Sequence, residues 1–484
     1  MSTSTTAPSA LSAPQTSADA MAQILARQKA AFLRDGPPSA RTRKASLLRL
    51  KQLLVDHQAD FVAAVSADFS HRSPHETLLA ELFATIAGIH HSARHVASWM
   101  RSERRSVPFY FLPGRARVVY QPLGVVGIIS PWNYPVNLAL APLATALAAG
   151  NRVMLKPSEY TPATSALMAR VLAEGFTEEQ VAVITGGAEV GAAFTRLPFN
   201  HLFFTGSTMV GRAVMQAASE HLVPVTLELG GKSPVLIDSD YSLEKAVRSI
   251  AHGKLFNAGQ TCVAPDYVLL PEGQAERFVT LFAEQVKQLY PRLGDNPDYS
   301  AMVSRRHYDR MQLLVDDARA KGARVVEINP ADEDLKGGEG RKFAPTLLLD
   351  VTDAMTAMQD EIFGPVLPIR TYGDFDEAIA SINARPRPLA LYYFGKSSAR
   401  QEAVLDLTTS GGVTINDTLI HFLAEDLPFG GVGASGMGAY HGREGFQTFS
   451  HRKAVFRQSA LNGSNLLRPP YTKLIERIVA FLMR

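Results

Sequence analysis

Residues 125–156 read VVGIISPWNYPVNLALAPLATALAAGNRVMLK, and their pattern decides the fold class. Val125–Ile129 is a short apolar run rich in β-branched residues and predicts a buried strand. Asn137–Ala149 is longer and apolar on every side, which predicts a buried helix, and Arg152–Leu155 returns to strand. Strand, helix and strand in that order imply parallel neighbours joined by a right-handed crossover. The alternation continues with a helix over Thr161–Ala173, opened by a Thr161 cap and by Pro162 in its first turn. Strands at Val181–Thr185, His201–Thr205 and Val223–Leu227 follow, with a helix over Ser207–Ala218 between the last two. This is the pattern of an α/β, doubly wound parallel sheet of the nucleotide-binding kind.

On the N-terminal side, Ile24, Phe32, Leu47, Leu50, Leu53, Leu54, Phe61 and Val65 recur at three- and four-residue steps, so residues 20–105 predict a layer of amphipathic helices. On the C-terminal side a second alternating set follows Gly230–Gly231. Its strands are Pro234–Ile237, Tyr267–Leu270, Arg324–Val326 and Leu389–Phe394. Its helices lie near Leu243–Phe256, Glu276–Leu289 and His307–Lys321. Two α/β domains joined near residue 229 account for this, with Asn329–Lys342 as an exposed loop. Residues 1–18, almost wholly Ser, Thr, Ala and Pro, predict a disordered tail with neither the basic nor the apolar region of a signal peptide.

Composition narrows the function. Of 484 residues, 49 are Lys or Arg and 46 Asp or Glu, a net charge of +3 with no dense basic block, which disfavours nucleic acid as a partner. The single cysteine excludes an intramolecular disulfide and a cysteine metal cluster, and the 13 histidines show no ligand spacing, so no metal is expected. Leu138–Gly150 is too short to cross a bilayer, and the C-terminal stretch Leu474–Arg484 is short and charged, so a cytoplasmic location without an integral membrane segment is expected. Leu474–Arg484 reads as a helix that packs on a domain or subunit surface, or touches a membrane peripherally.

The cysteine stands in Asn257-Ala-Gly-Gln-Thr-Cys262, a polar loop just past a predicted helix. A lone cysteine is more often a small buried hydrophobe, but its polar setting favours a nucleophile. Thirty-four residues earlier, Glu228 ends a predicted strand in Thr226-Leu-Glu-Leu-Gly-Gly-Lys-Ser-Pro234. It is either an ion-pair partner of Lys232 or a partly desolvated general base at the sheet edge where ligands of doubly wound folds bind. Phe203-Phe-Thr-Gly-Ser-Thr-Met-Val-Gly211 runs a strand into a Gly-Ser-Thr turn and a helix whose N-terminal N–H groups suit phosphate, although a plain tight turn explains it nearly as well. In Met154-Leu-Lys-Pro-Ser-Glu159, Lys156 and Glu159 can reach ribose hydroxyls, and an acid there disfavours a 2′-phosphate, hence NAD, with NADP as the alternative. Asn133, in Ser130-Pro-Trp-Asn-Tyr-Pro135, can offer its amide to an oxyanion. Phe363, in Glu361-Ile-Phe-Gly-Pro365, is a core residue or one that faces a nicotinamide.

Taken in order, Pro131–Pro135, Leu155–Glu159, Phe204–Thr208, Leu227–Gly231, Gly259–Cys262, Glu361–Pro365 and Pro428–Gly431 resemble the aldehyde dehydrogenase superfamily over about residues 27–471. The resemblance implies two doubly wound domains with a small bridging or oligomerisation element. The expected division is a tail over 1–19, a dinucleotide-binding domain over 20–228 with a bridging strand segment near 106–122, a catalytic domain over 229–415, and a return to the cofactor domain and bridging element over 416–484. It implies Cys262 as nucleophile, Glu228 as general base and Asn133 with the Cys262 N–H as oxyanion donors. Lys156 and Glu159 match the adenosine ribose ligands, Ser207 the pyrophosphate contact, Glu361 the nicotinamide ribose ligand and Phe363 the residue beside the nicotinamide. Trp132, Thr205, Gly206 and Gly211 complete the expected cofactor site. Thr261–Val268, Phe422–Gly431 and Gly436–Gly442 look like the class 3 and fatty-aldehyde branch, commonly homodimeric. Ala67–Ser73, His75–Leu79 and Trp99–Arg105 look most similar to bacterial coniferyl aldehyde dehydrogenases. The expected substrate is then a small aromatic aldehyde, against the alternatives of an aliphatic aldehyde or of acyl transfer to a thiol such as CoA.

Overall fold

The stretch quoted above forms the middle of a six-stranded sheet in a computed structural model that describes residues 15–335, 340–461 and 468–483. Across this sheet the strands run Gly436–Met437, Val225–Glu228, His201–Thr205, Val125–Ile129, Arg152–Lys156 and Val181–Val183, all parallel except Gly436–Met437 at the edge. The chain therefore runs outward from Val125–Ile129 to Val181–Val183, then crosses back to His201–Thr205 on the other side. That reversal opens a crevice beyond the carboxyl ends of Val125–Ile129 and His201–Thr205, the place where such sheets bind ligands. Register aligns the ends: Ile129 lies opposite Lys156 and Phe204, and Thr205 opposite Glu228.

A second sheet of seven strands runs Arg324–Glu327, Thr346–Leu349, Val366–Tyr372, Tyr267–Pro271, Pro234–Ile237, Ala390–Phe394 and Gly412–Ile415. The edge strand Arg324–Glu327 is antiparallel to Thr346–Leu349, so the chain between them turns back rather than crossing over. A third, antiparallel sheet joins Glu103–Arg105, Arg115–Pro122 and Ser450–Arg457, the last two paired along all of Arg115–Pro122. The expected helical layer is present, with Leu47, Leu50, Leu54, Phe61 and Val65 buried in one core with Val126, Ile128, Leu140 and Leu143.

Several expectations shift. Residues 1–14 of the expected tail lie outside the described residues, but a helix already begins at Ala18, because the Ser17 side chain caps it by accepting the Ala20 N–H. Helix Pro162–Gly175 takes no side-chain bond from Thr161; instead the Asp68 carboxylate, from a neighbouring helix, accepts the N–H groups of Ala163 and Thr164, both at 2.9 Å. The Asn329–Lys342 stretch is not wholly exposed: Lys342 is buried with its ammonium on the Asn296 carbonyl at 2.6 Å, and residues 336–339 lie outside the described residues.

Candidate active site

Helix Leu243–Leu255 ends in a tight turn where Asn257 (φ 53°) and Ala258 (φ 51°) both adopt the left-handed conformation. Two successive non-glycine residues in that region are strained and persist only where the surroundings hold them. Here the Asn257 N–H donates to Glu76 (3.0 Å) and its side-chain amide to the carbonyls of Asn133 (3.0 Å) and Gln260 (3.1 Å). Gln260 in turn donates to the carbonyls of Asn257 (2.9 Å) and Ala301 (3.0 Å). Gly259 passes so close to the Gly364 carbonyl that a Cβ would overlap it. The turn thus presents Cys262, half-buried, on the wall of a cleft of about 1330 Å³.

Glu228 and Asn133 line the same cleft. The Glu228 carboxyl is buried, and neither oxygen has a hydrogen-bond partner among the described residues. Burial raises its pKa well above the ordinary carboxylate value. The Lys232 pairing weighed from sequence does not form: Lys232 is bonded to Asp266 and to the carbonyls of Ala357 (2.7 Å) and Asp360 (2.9 Å). Burial also pushes the Cys262 thiol up to about 12, with the carboxylates of Glu361 and Glu228 adding to the shift. Burial thus disfavours the charged form of both groups that line this cleft. The Asn133 side-chain amide donates to the Gln260 carbonyl at 3.2 Å, and its second N–H is the group that can serve a developing oxyanion.

Next to Glu228, whose carbonyl accepts the Gly206 N–H at 3.0 Å, the residues Thr205, Gly206, Ser207 and Thr208 lead from the sheet edge into helix Thr208–Ser219 and line the cleft together with Trp132, Glu361 and Phe363. Thr205 Oγ1 is buried without a partner among the described residues. The Glu361 carboxylate lies where a Cβ at Gly230 would be, and burial with the nearby Asp266 charge pushes it up to about 8. Phe363 sits at φ 56° with its ring 5.4 Å from that of Trp132, edge-on. The cleft lining does not include Lys156, Glu159 or Gly211. Lys156 and Glu159 pair with each other at 2.8 Å in the loop after the neighbouring strand. Gly211 lets its helix pack on Leu229, where a Cβ would stand 2.6 Å from a methyl carbon, so its place in the structure is one of spacing rather than ligand contact.

The aldehyde dehydrogenase family model matches residues 4–455. The chain belongs to that family. It is 54% identical over 465 residues, 95% of this chain and 96% of the other, to a protein of Caulobacter vibrioides named "Probable coniferyl aldehyde dehydrogenase". It is 49% identical to the "Coniferyl aldehyde dehydrogenase" of a Pseudomonas species, over 96% of this chain and 97% of that one. Among solved structures, a Mycobacterium tuberculosis aldehyde dehydrogenase complexed with NAD+ matches with a TM-score of 0.84 at 30% identity, over 92% of this chain and 91% of that one.

The residues of this aldehyde dehydrogenase suit a nicotinamide dinucleotide. The crevice at the sheet reversal is larger than a site for a small aldehyde alone requires. It offers an unpartnered Thr205 hydroxyl, a helix N-terminus at Ser207 and a carboxylate at Glu361. Sequence reasoning missed the apolar wall: Leu138, Phe429 and Tyr440 line the cleft with Cys262, and the Tyr440 hydroxyl is buried without a partner among the described residues. The Pro428–Gly431 and Gly436–Gly442 segments flagged the neighbourhood of Phe429 and Tyr440, but only the fold brings them to the thiol.

Proposed function

We propose that this aldehyde dehydrogenase oxidises a cinnamyl-type aromatic aldehyde, of which coniferaldehyde going to ferulate is the model, with NAD as acceptor. The observation that carries the reading is that Cys262, Glu228 and Asn133 line one cleft together with the Thr205–Ser207 turn, which pairs directly with Glu228. Aromatic side chains at Trp132, Phe363, Phe429 and Tyr440 suit a planar conjugated substrate, and the names of the relatives agree. Glu159, paired with Lys156 beyond the cleft lining, would meet an adenosine ribose that extends past that lining, and an acid there disfavours a 2′-phosphate, which supports NAD over NADP.

Cys262 Sγ gives its proton to the Glu228 carboxylate, which passes it on to solvent, and adds to the aldehyde carbon; the carbonyl π pair moves onto oxygen, where the Asn133 amide and the Cys262 N–H stabilise it. Ser207 would hold the pyrophosphate of a bound dinucleotide, Glu361 its nicotinamide ribose and Phe363 the ring, and the group would supply the acceptor for the hydride lost by the adduct carbon as its C=O bond re-forms in a Cys262 thioester. Glu228, as carboxylate, then takes a proton from water; the hydroxyl adds to the thioester, the C–S bond breaks, and the acid departs with the thiol restored.

The test is NADH release by the purified protein with coniferaldehyde and decanal, each with NAD and with NADP, and with CoA added or omitted. A kcat/KM at least about tenfold higher for coniferaldehyde with NAD is expected, because a mismatched apolar pocket discriminates by roughly that much. Preference for decanal would sink the aromatic assignment, and acyl-CoA forming faster than acid would sink hydrolysis.

A further inference from the structure

The segment Ala67–Leu79, which in the sequence only marks the branch of the family, packs behind the catalytic loops. Arg72 is fully buried there. Its Nη1–H donates to the Asn133 carbonyl at 2.7 Å and lies 3.4 Å from Glu81 Oε1. The guanidinium faces the rings of Tyr134 at 4.6 Å and Phe69 at 5.0 Å. Glu81 continues the clamp, its other oxygen accepting the N–H groups of Val136 (3.0 Å) and Asn137 (2.7 Å), and the Tyr134 hydroxyl meets Thr261 Oγ1 at 2.6 Å. Four stations within residues 133–137, the Asn133 carbonyl, the Tyr134 ring and the N–H groups of Val136 and Asn137, are therefore held by Arg72 and its partner, with the Asn257 amide as a second, longer donor to the Asn133 carbonyl at 3.0 Å.

The guanidinium is underused as a stabilising group. Its Nε and Nη2 have no partner among the described residues, and an underpaired buried cation is a poor stabiliser. Holding one backbone carbonyl in place explains the single short bond better. That carbonyl belongs to Asn133, which lines the cleft and whose side-chain amide is bonded to the Gln260 carbonyl at 3.2 Å, and a displacement of about 1 Å in such a group is worth up to about 100-fold in rate.

We propose that Arg72 is a positioning residue for the oxyanion donor, clamping the Asn133 peptide so that its side-chain amide meets the oxygen of the Cys262 adduct. The inference rests on the role proposed above for Asn133. The experiment is a double-mutant cycle of Arg72→Met and Asn133→Ala, read in two assays: kcat and KM for coniferaldehyde with NAD, and acyl transfer to Cys262 from 4-nitrophenyl acetate, which needs neither aldehyde nor cofactor. Arg72→Met is expected to lower kcat and acyl transfer about tenfold or more with KM within about threefold, and Arg72→Lys to recover part of the loss. Asn133→Ala is expected to cost on the order of 10²–10³. The double variant should match Asn133→Ala within about twofold, because the clamp has nothing left to position.

If the two losses multiply, or if Arg72→Met keeps the wild-type kcat, the proposal is overturned while the site stands. Full activity in Asn133→Ala removes the oxyanion role itself, and with it the basis of the clamp. Should Arg72→Met fold poorly with Glu81 left unpaired, Arg72→Met with Glu81→Gln removes both charges and is carried through the same cycle with the same two outcomes deciding.

Discussion

Cys262 and Glu228 occupy a cleft that strips water from both, and that single fact shapes their chemistry. Burial raises both groups, which disfavours the thiolate of Cys262 and the carboxylate of Glu228, the forms in which each acts. For Glu228 the sign follows directly: a raised carboxyl pKa means the basic form is scarce at low pH and grows as pH rises through the raised value. Hydrolysis of the acyl-enzyme should therefore accelerate with pH, and Glu228→Gln should flatten that rise and let a thioester accumulate, seen as added mass on Cys262 by intact-protein mass spectrometry. A Gln variant with the wild-type pH dependence would remove Glu228 from the base role. Cys262→Ala should abolish NADH production while leaving the Kd for NAD within about threefold, measured by calorimetry, because the thiol supplies bond formation rather than cofactor contact. The types and order of these residues were legible, since a lone thiol in a polar loop and an acid before two glycines are unusual. The partner of Lys232 was not: a neighbour in sequence suggested Glu228, but the turn after Glu228 sends the ammonium to Asp266, which a register argument cannot foresee.

Between elements, the decisive contact is that of the loop after Glu228 with the loop carrying Glu361. A Cβ at Gly230 would overlap the Glu361 carboxylate, so a side chain one carbon long is enough to displace it. Gly230→Ala and Glu361→Ala are accordingly each expected to raise the KM for NAD about tenfold or more, with kcat changed less; the double variant should resemble either single one. Steady-state kinetics with NAD varied at saturating aldehyde measures this, and an unchanged KM in Gly230→Ala would show that Glu361 does not hold the cofactor. The strands supporting this second loop were the hardest to read. Thr346–Leu349 is only four residues long, and Val366–Tyr372 carries Pro368 and Arg370 where a buried strand ordinarily has neither. Pro368 is tolerated opposite Leu348 in the parallel pair, and Arg370 reaches Asp353 at 2.9 Å. By contrast Val125–Ile129 and His201–Thr205 were plain, because both faces of those strands are largely buried and their side chains are apolar or small except His201, whose ring is paired with the Thr226 hydroxyl at 2.9 Å.

At the scale of the molecule, the sheets divide the labour: the six-stranded sheet ends in Glu228 and the Thr205–Ser207 turn, whereas Cys262 and Glu361 come from loops flanking strands of the seven-stranded one. The antiparallel third sheet ties residues 103–122 to 450–457, so the C-terminal part of the chain is anchored by a full strand before its last helix. That helix, Lys473–Leu482, buries none of its residues; Leu474 is 56% and Phe481 74% exposed. A helix with no buried face contributes little to the stability of its own chain, since packing rather than propensity holds most short helices. Truncation after Tyr471 should thus leave the thermal midpoint within about 2 °C and kcat/KM within about twofold, because an element without buried area removes little free energy from a protein of this size. The homodimer expected from sequence makes the alternative sharp: a fall in the midpoint of more than about 5 °C, together with a loss of mass in sedimentation, would show that a second copy covers the apolar side of this helix in solution.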